Sequence, residues 1–264
     1  MTRAPLAALA LSAAFGLSVG LPHGDARAAI KTDAVAYMQG NAALEGFIAY
    51  DDAANGKRPG VVVFPDWYGV TDYAKARAER LAQLGYVVFI ADMYGKGIQP
   101  KNDEEADAEV GKLLKNPALL RARYEAAFEQ LRNNPMVDAK KLVATGYCFG
   151  GDSALGLARS GADVAATITF HGDLSNPDPA TAKNIKGHVL VFWGANDPYV
   201  TAKAVDAFED EMRATRVDWQ VVAYANTVHS FTVPTAHSKS DAYNPVADQR
   251  SWQQMQDFLH DVLR

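Results

Sequence analysis

Apolar residues fall along this chain in short, separated runs. Residues 60–64 (Gly-Val-Val-Val-Phe), 86–91, 142–145, 164–170 and 189–193 are continuous and rich in β-branched side chains. That is the pattern of strands covered on both faces. Before them, residues 35–39 and 44–50 alternate apolar and polar positions around Gly40-Asn41, which predicts an antiparallel hairpin. Helix signals fill the gaps. Thr71 can cap a helix reaching Leu84, with Gly85 closing it, and one charged helical segment is expected over 103–131. Further helices are expected after residue 151, over 202–214 and over 247–263, with a last strand at 219–224. Strand and helix taking turns over this length predicts an α/β fold: a mostly parallel, doubly wound sheet with helices on both faces. In such sheets chemistry gathers beyond the carboxyl ends of the strands.

The first residues follow a different pattern. Arg3 precedes an apolar stretch from Leu6 to Leu21, and Ala26-Arg27-Ala28 follows. A positive start, a short apolar region and an A-x-A site read as a secretory signal cleaved after Ala28, so residues 1–28 are expected to be removed. The remaining domain, 29–264, would then work in the periplasm or outside the cell. The chain has one cysteine in 264 residues, so stability is expected from the core rather than from disulfides. A formal net charge of −5 argues against a nucleic-acid partner. No later segment has the run of apolar residues that a membrane span needs. No metal-ligand spacing and no phosphate-binding loop is present, so no metal or cofactor is expected.

That single cysteine lies in Gly146-Tyr147-Cys148-Phe149-Gly150-Gly151, between an apolar strand run and a run of small residues. G-x-C-x-G is the nucleophile-elbow pattern with cysteine in place of serine. The turn is too sharp for bulk two residues to either side, and it presents the sulfur above the sheet at a helix N-terminus, which favours thiolate. A nucleophile needs a base and something to hold the base. Asp197 follows the run at 189–193, and His229 follows the strand ending at Tyr224. Nucleophile, acid, histidine is the chain order of α/β-hydrolases. His188 precedes its strand, His260 lies within the closing helix and His237 in a polar loop. His171 follows a strand and is a candidate for the pocket. Gly151-Asp152-Ser153 imitates the start of another lipase family, but its serine falls inside the helix after the elbow.

These residues, with Val63-Phe64-Pro65-Asp66-Trp67-Tyr68-Gly69, Ala91-Asp92-Met93-Tyr94 and His229-Ser230-Phe231, give the mature chain a resemblance to the dienelactone hydrolase (carboxymethylenebutenolidase) family of α/β-hydrolases. The resemblance implies Cys148 as nucleophile, His229 as base and Asp197 as its orienting acid. It implies the backbone N–H groups of Trp67 and Phe149 as oxyanion donors, and an acidic residue, here Asp66, near the nucleophile. Tyr68, Tyr94, His171 and Phe231 are candidates to shape an aromatic pocket. Two departures stand out. The family usually has glutamate at position 66. Its carboxylate-binding arginine a few residues past the histidine is missing from Phe231-Thr232-Val233-Pro234. The expected function is hydrolysis of a small ester or lactone through a thioester. The alternative is a non-catalytic binding or thiol redox-sensing protein on the same scaffold.

Overall fold

The computed structural model describes Met1 and residues 29–264; the expected signal segment lies outside the described residues. Eight strands form one sheet: β1 (Ile30–Gln39), β2 (Ala42–Asp51), β3 (Arg58–Phe64), β4 (Val87–Ile90), β5 (Val137–Tyr147), β6 (Ala166–Phe170), β7 (His188–Gly194) and β8 (Trp219–Tyr224). Their spatial order is β1-β2-β4-β3-β5-β6-β7-β8. β1 pairs antiparallel with β2, and β2 with β4; every other pairing is parallel. The sheet is therefore mostly parallel, with an antiparallel hairpin at one edge.

Six helices cover it: α1 (Asp72–Ala82), α2 (Asp103–Leu114), α3 (Pro117–Arg132), α4 (Phe149–Arg159), α5 (Ala202–Arg213) and α6 (Pro245–Val262). The period of two in β3 divides the core. Val62 and Phe64 join residues such as Phe128, Leu155 and Phe208 from α3, α4 and α5. Val61 and Val63 join Leu81, Met255 and Phe258 from α1 and α6 on the opposite face. Helices on both faces explain why the β3 run reads as continuously apolar.

Boundaries moved where local chemistry decided. The expected single helix over 103–131 is two helices. Pro117 lacks an N–H and opens a new helix, while the Asn116 side chain accepts from the Leu119 N–H at 3.1 Å as its cap. Thr71 does cap α1, but the helix ends at Ala82; Gly85, at φ +93°, turns the chain into β4. A short 3-10 turn at Pro179–Asn184 was not foreseen.

Candidate active site

The elbow is built from close backbone approaches. A Cβ on Gly146 would lie 1.9 Å from the Gly150 carbonyl oxygen, and one on Gly150 would lie 2.0 Å from that of Phe64. Neither position admits a side chain. Between them Cys148 sits at φ +53°, a left-handed conformation that non-glycine residues adopt at a cost. Its N–H donates to the Phe170 carbonyl at 3.0 Å, tying the end of β5 to β6. α4 begins at the next residue, so Phe149, at the first helical position, has no intrahelical acceptor for its N–H. Ser153 is fully buried, its hydroxyl donating back to the Phe149 carbonyl within α4. It is a helix residue, as the sequence indicated.

Asp197 and His229 arrive on two loops that must lie close together. A Cβ on Gly194 would lie 2.6 Å from the Thr227 carbonyl oxygen, so glycine at the end of β7 lets the loops meet. Asp197 uses both carboxylate oxygens. Oδ1 accepts the N–H groups of Tyr199 (2.8 Å) and Val200 (3.0 Å), and Oδ2 lies 2.7 Å from His229 Nδ1. The histidine loop is fixed from behind by a bridge to Asp241, in which the His229 N–H donates to Ser240 and the His229 carbonyl accepts from Ala242.

With Nδ1 committed to Asp197, Nε2 is the ring nitrogen left free, and the Cys148 thiol is near enough to act on the charge of the ring. Burial pushes the imidazole pKa down, but the bonds to Asp197 and Cys148 outweigh burial and raise it to about 10. His229 therefore favours its protonated form.

Asp66 and Trp67 occupy a tight turn after β3. Asp66 Oδ1 accepts the Tyr68 N–H at 2.9 Å, the Gly69 N–H donates to the Asp66 carbonyl, and Gly69 has φ +78°. Burial raises the Asp66 carboxyl to about 6, against the lowering effects of the Tyr68 N–H and nearby His229. Tyr94 donates its hydroxyl to the Trp67 carbonyl at 2.7 Å, fixing that peptide. The Tyr68 hydroxyl donates to Asp103, and Gln99 donates to the Tyr68 carbonyl, so this turn is tied to the start of α2.

Among the aromatic candidates, Tyr68 and Tyr94 stand by Asp66. His171 and Phe231 lie deeper: both are buried, and their rings pack edge-to-face at 5.2 Å behind His229. They back the site instead of lining an open pocket. Tyr199, 59% exposed, was missed. Its ring meets His229 edge-on at 5.1 Å, and its hydroxyl donates to Asp241. Its place two residues after Asp197 was the available signal. Thr232, which binds His171, carried no signal in the sequence at all.

Known proteins resemble this chain over most of its length. The model of the dienelactone hydrolase family matches residues 44–263. The solved protein designated m3DLH is 42% identical, with a TM-score of 0.85 over 89% of this chain and 99% of its own. A dienelactone hydrolase-like promiscuous phosphotriesterase from metagenomic libraries is 39% identical, with a TM-score of 0.86 over 89% of this chain and 100% of its own. A Bradyrhizobium protein described as a probable 2-oxo-3-(5-oxofuran-2-ylidene)propanoate lactonase is 27% identical, over 75% of this chain and 81% of its own. This chain belongs to the dienelactone hydrolase family and is a hydrolase of the ester- and lactone-cleaving kind.

Proposed function

We propose that the protein hydrolyses a small uncharged ester or lactone by covalent catalysis at Cys148. The observation that carries this reading is the pairing of His229 with Asp197 at 2.7 Å, its ring within the influence of a cysteine held at φ +53° on the elbow. His229 takes the thiol proton, and Asp197 fixes the Nδ1–H tautomer and stabilises the imidazolium. The thiolate adds to the carbonyl carbon, and the oxyanion meets the N–H groups of Trp67 and Phe149. One such donor is worth on the order of 10²–10³ in rate. Collapse expels the alcohol, which receives its proton from His229. Water, deprotonated by the same ring, then cleaves the thioester and restores the thiol.

The surroundings favour an uncharged substrate. Tyr68 lies within the fields of Asp66, Asp103 and Asp241, and no arginine replaces the carboxylate clamp the family uses after its histidine. A substrate carboxylate would meet like charge there. The test is turnover of a panel of aryl esters and lactones by the purified protein, with acyl-enzyme trapped and weighed. Turnover lost in Cys148→Ala, with an acyl adduct on Cys148 in the wild type, is expected. An inactive wild type would favour the non-catalytic thiol protein instead.

The phosphotriesterase relative favours a second activity at the same sulfur, displacement of an aryl leaving group from a neutral phosphotriester. The N-terminal pattern supports export, with action in the periplasm or outside the cell. Mass spectrometry of the protein from cell fractions tests that, with Ala29 as the expected first residue.

A further inference from the structure

His171 sits directly behind the histidine of the site and is expensive to keep there. Its backbone is left-handed, at φ +43°, and it is followed by a glycine that could take that conformation freely. Its ring is buried, and Nδ1 has no hydrogen-bond partner. Strain and an unpaired polar atom in one residue point to a function.

Three contacts define the ring. Nε2 lies 2.8 Å from Thr232 Oγ1, the ring meets His229 edge-on at 5.0 Å, and Phe231 packs on it at 80°. Thr232 Oγ1 in turn lies 2.6 Å from the Tyr73 hydroxyl, and the Thr232 carbonyl accepts from Arg77 at 2.7 Å. Counting protons fixes the direction of this chain. If Tyr73 donates to Thr232 and Thr232 donates to His171 Nε2, only the Nδ1–H is left unpaired. The reverse order strands the Tyr73 proton as well as the Nδ1 lone pair, so the first arrangement is the cheaper one. It requires a neutral His171, because a proton on Nε2 would break the chain. The groups facing the ring agree: His229 from its loop and Arg77 from α1 both oppose a second positive charge, and Tyr147 from β5 presents an aromatic ring.

We infer that His171 is a positioning residue for His229, a neutral imidazole anchored through Thr232 to Tyr73 that holds the plane of the His229 ring. The inference rests on the reading of Cys148 and His229 as a reacting pair. Asp197 holds only Nδ1, so without a neighbour on its face the ring can tilt about that bond and carry Nε2 away from the sulfur, and misplacement of about 1 Å can cost around 10² in rate.

Two measurements on His171→Phe, Thr232→Val and Thr232→Ser test it. The first is the pH at which iodoacetamide labelling of Cys148 reaches half its plateau, which reads the Cys148–His229 contact without any ester. The second is aryl-ester kinetics. In His171→Phe and Thr232→Val the labelling midpoint is expected to rise by at least about half a pH unit above that of wild type. Where the ester is cleaved, kcat should fall about tenfold or more with KM little changed. Thr232→Ser, which keeps the hydroxyl, should restore both. Thr232→Val carries the test alone if His171→Phe does not fold. Midpoints equal to wild type in both variants overturn the inference, even if the ester is cleaved. Shifted midpoints in a protein that cleaves no ester uphold it while refuting the proposed function.

Discussion

Asp66 is the residue where stability and chemistry pull apart. Its side chain lies within the field of His229 and accepts one backbone N–H, and burial lifts its pKa from 3.8 to about 6. Between those values the unfolded chain has released a proton that the folded protein still holds. The stability contributed by this carboxyl therefore falls as pH rises through that window, and above it the folded protein bears a poorly solvated charge. Asp66→Asn removes that charge. The variant should melt at a higher temperature than wild type near pH 8 and at the same temperature near pH 3, where the aspartate is neutral in both the folded and the unfolded chain. Calorimetry at both values checks this; a gain that is equal at the two would refute the electrostatic account. Little of it was legible beforehand. Asp66 could be located next to the nucleophile by resemblance, but its burial depends on the Asp66–Gly69 turn folding inward under the Tyr94 hydroxyl. Cys148, Asp197 and His229 were easier, because each directly follows a strand run and topology brings such positions to one end of a sheet.

At the scale of the element, the turn between β5 and α4 tolerates least. Gly146→Ala would press a methyl into the Gly150 backbone at 1.9 Å, where no flexible side chain can give way. A loss of at least about 3 kcal/mol, or failure to accumulate folded protein, is expected. Gly111 in α2 is the control: nothing lies within 4 Å of its added Cβ, so Gly111→Ala should stabilise by about 0.5–1 kcal/mol. Denaturant melts of the two variants should move in opposite directions. The elbow glycines were readable because their spacing around a cysteine has one geometric explanation. The division between α2 and α3 was passed over although Asn116-Pro117 states it, because the charge pattern on either side continues unbroken. The Tyr73–Thr232–His171 chain joins α1 to two loops and leaves no periodic trace.

Across the whole molecule, buried ion pairs join elements that the hydrophobic pattern leaves unconnected. Arg159 of α4 donates to both Glu211 oxygens at 2.9 Å, and to the carbonyls of Leu174 and Ser175. It thereby clasps the chain after His171 to α5. Breaking such a pair from one side costs about 3–5 kcal/mol, so Glu211→Ala should unfold at markedly lower denaturant. Charge also acts at long range. With a net charge of −5 and carboxylates around Tyr68, matched aryl esters differing only in acyl charge should show lower kcat/KM for the anionic member. Salt should narrow the difference, since fields beyond about 10 Å are screened at 0.1 M. Equal rates at low salt would show that the carboxylates do not select. The alternation of strand and helix was legible at this scale, as was the hairpin edge. The clasp was not, because partners 52 positions apart leave no local pattern.

The hairpin edge has a use unrelated to catalysis. β1 and β2 keep an unbroken register from Ile30↔Asp51 to Gln39↔Ala42, and Cys148, Asp197 and His229 follow other strands. At its tip Gly40 stands at φ +56° with open space around it. A peptide handle spliced between Gly40 and Asn41 would project into solvent, and could tether the protein to a solid support there.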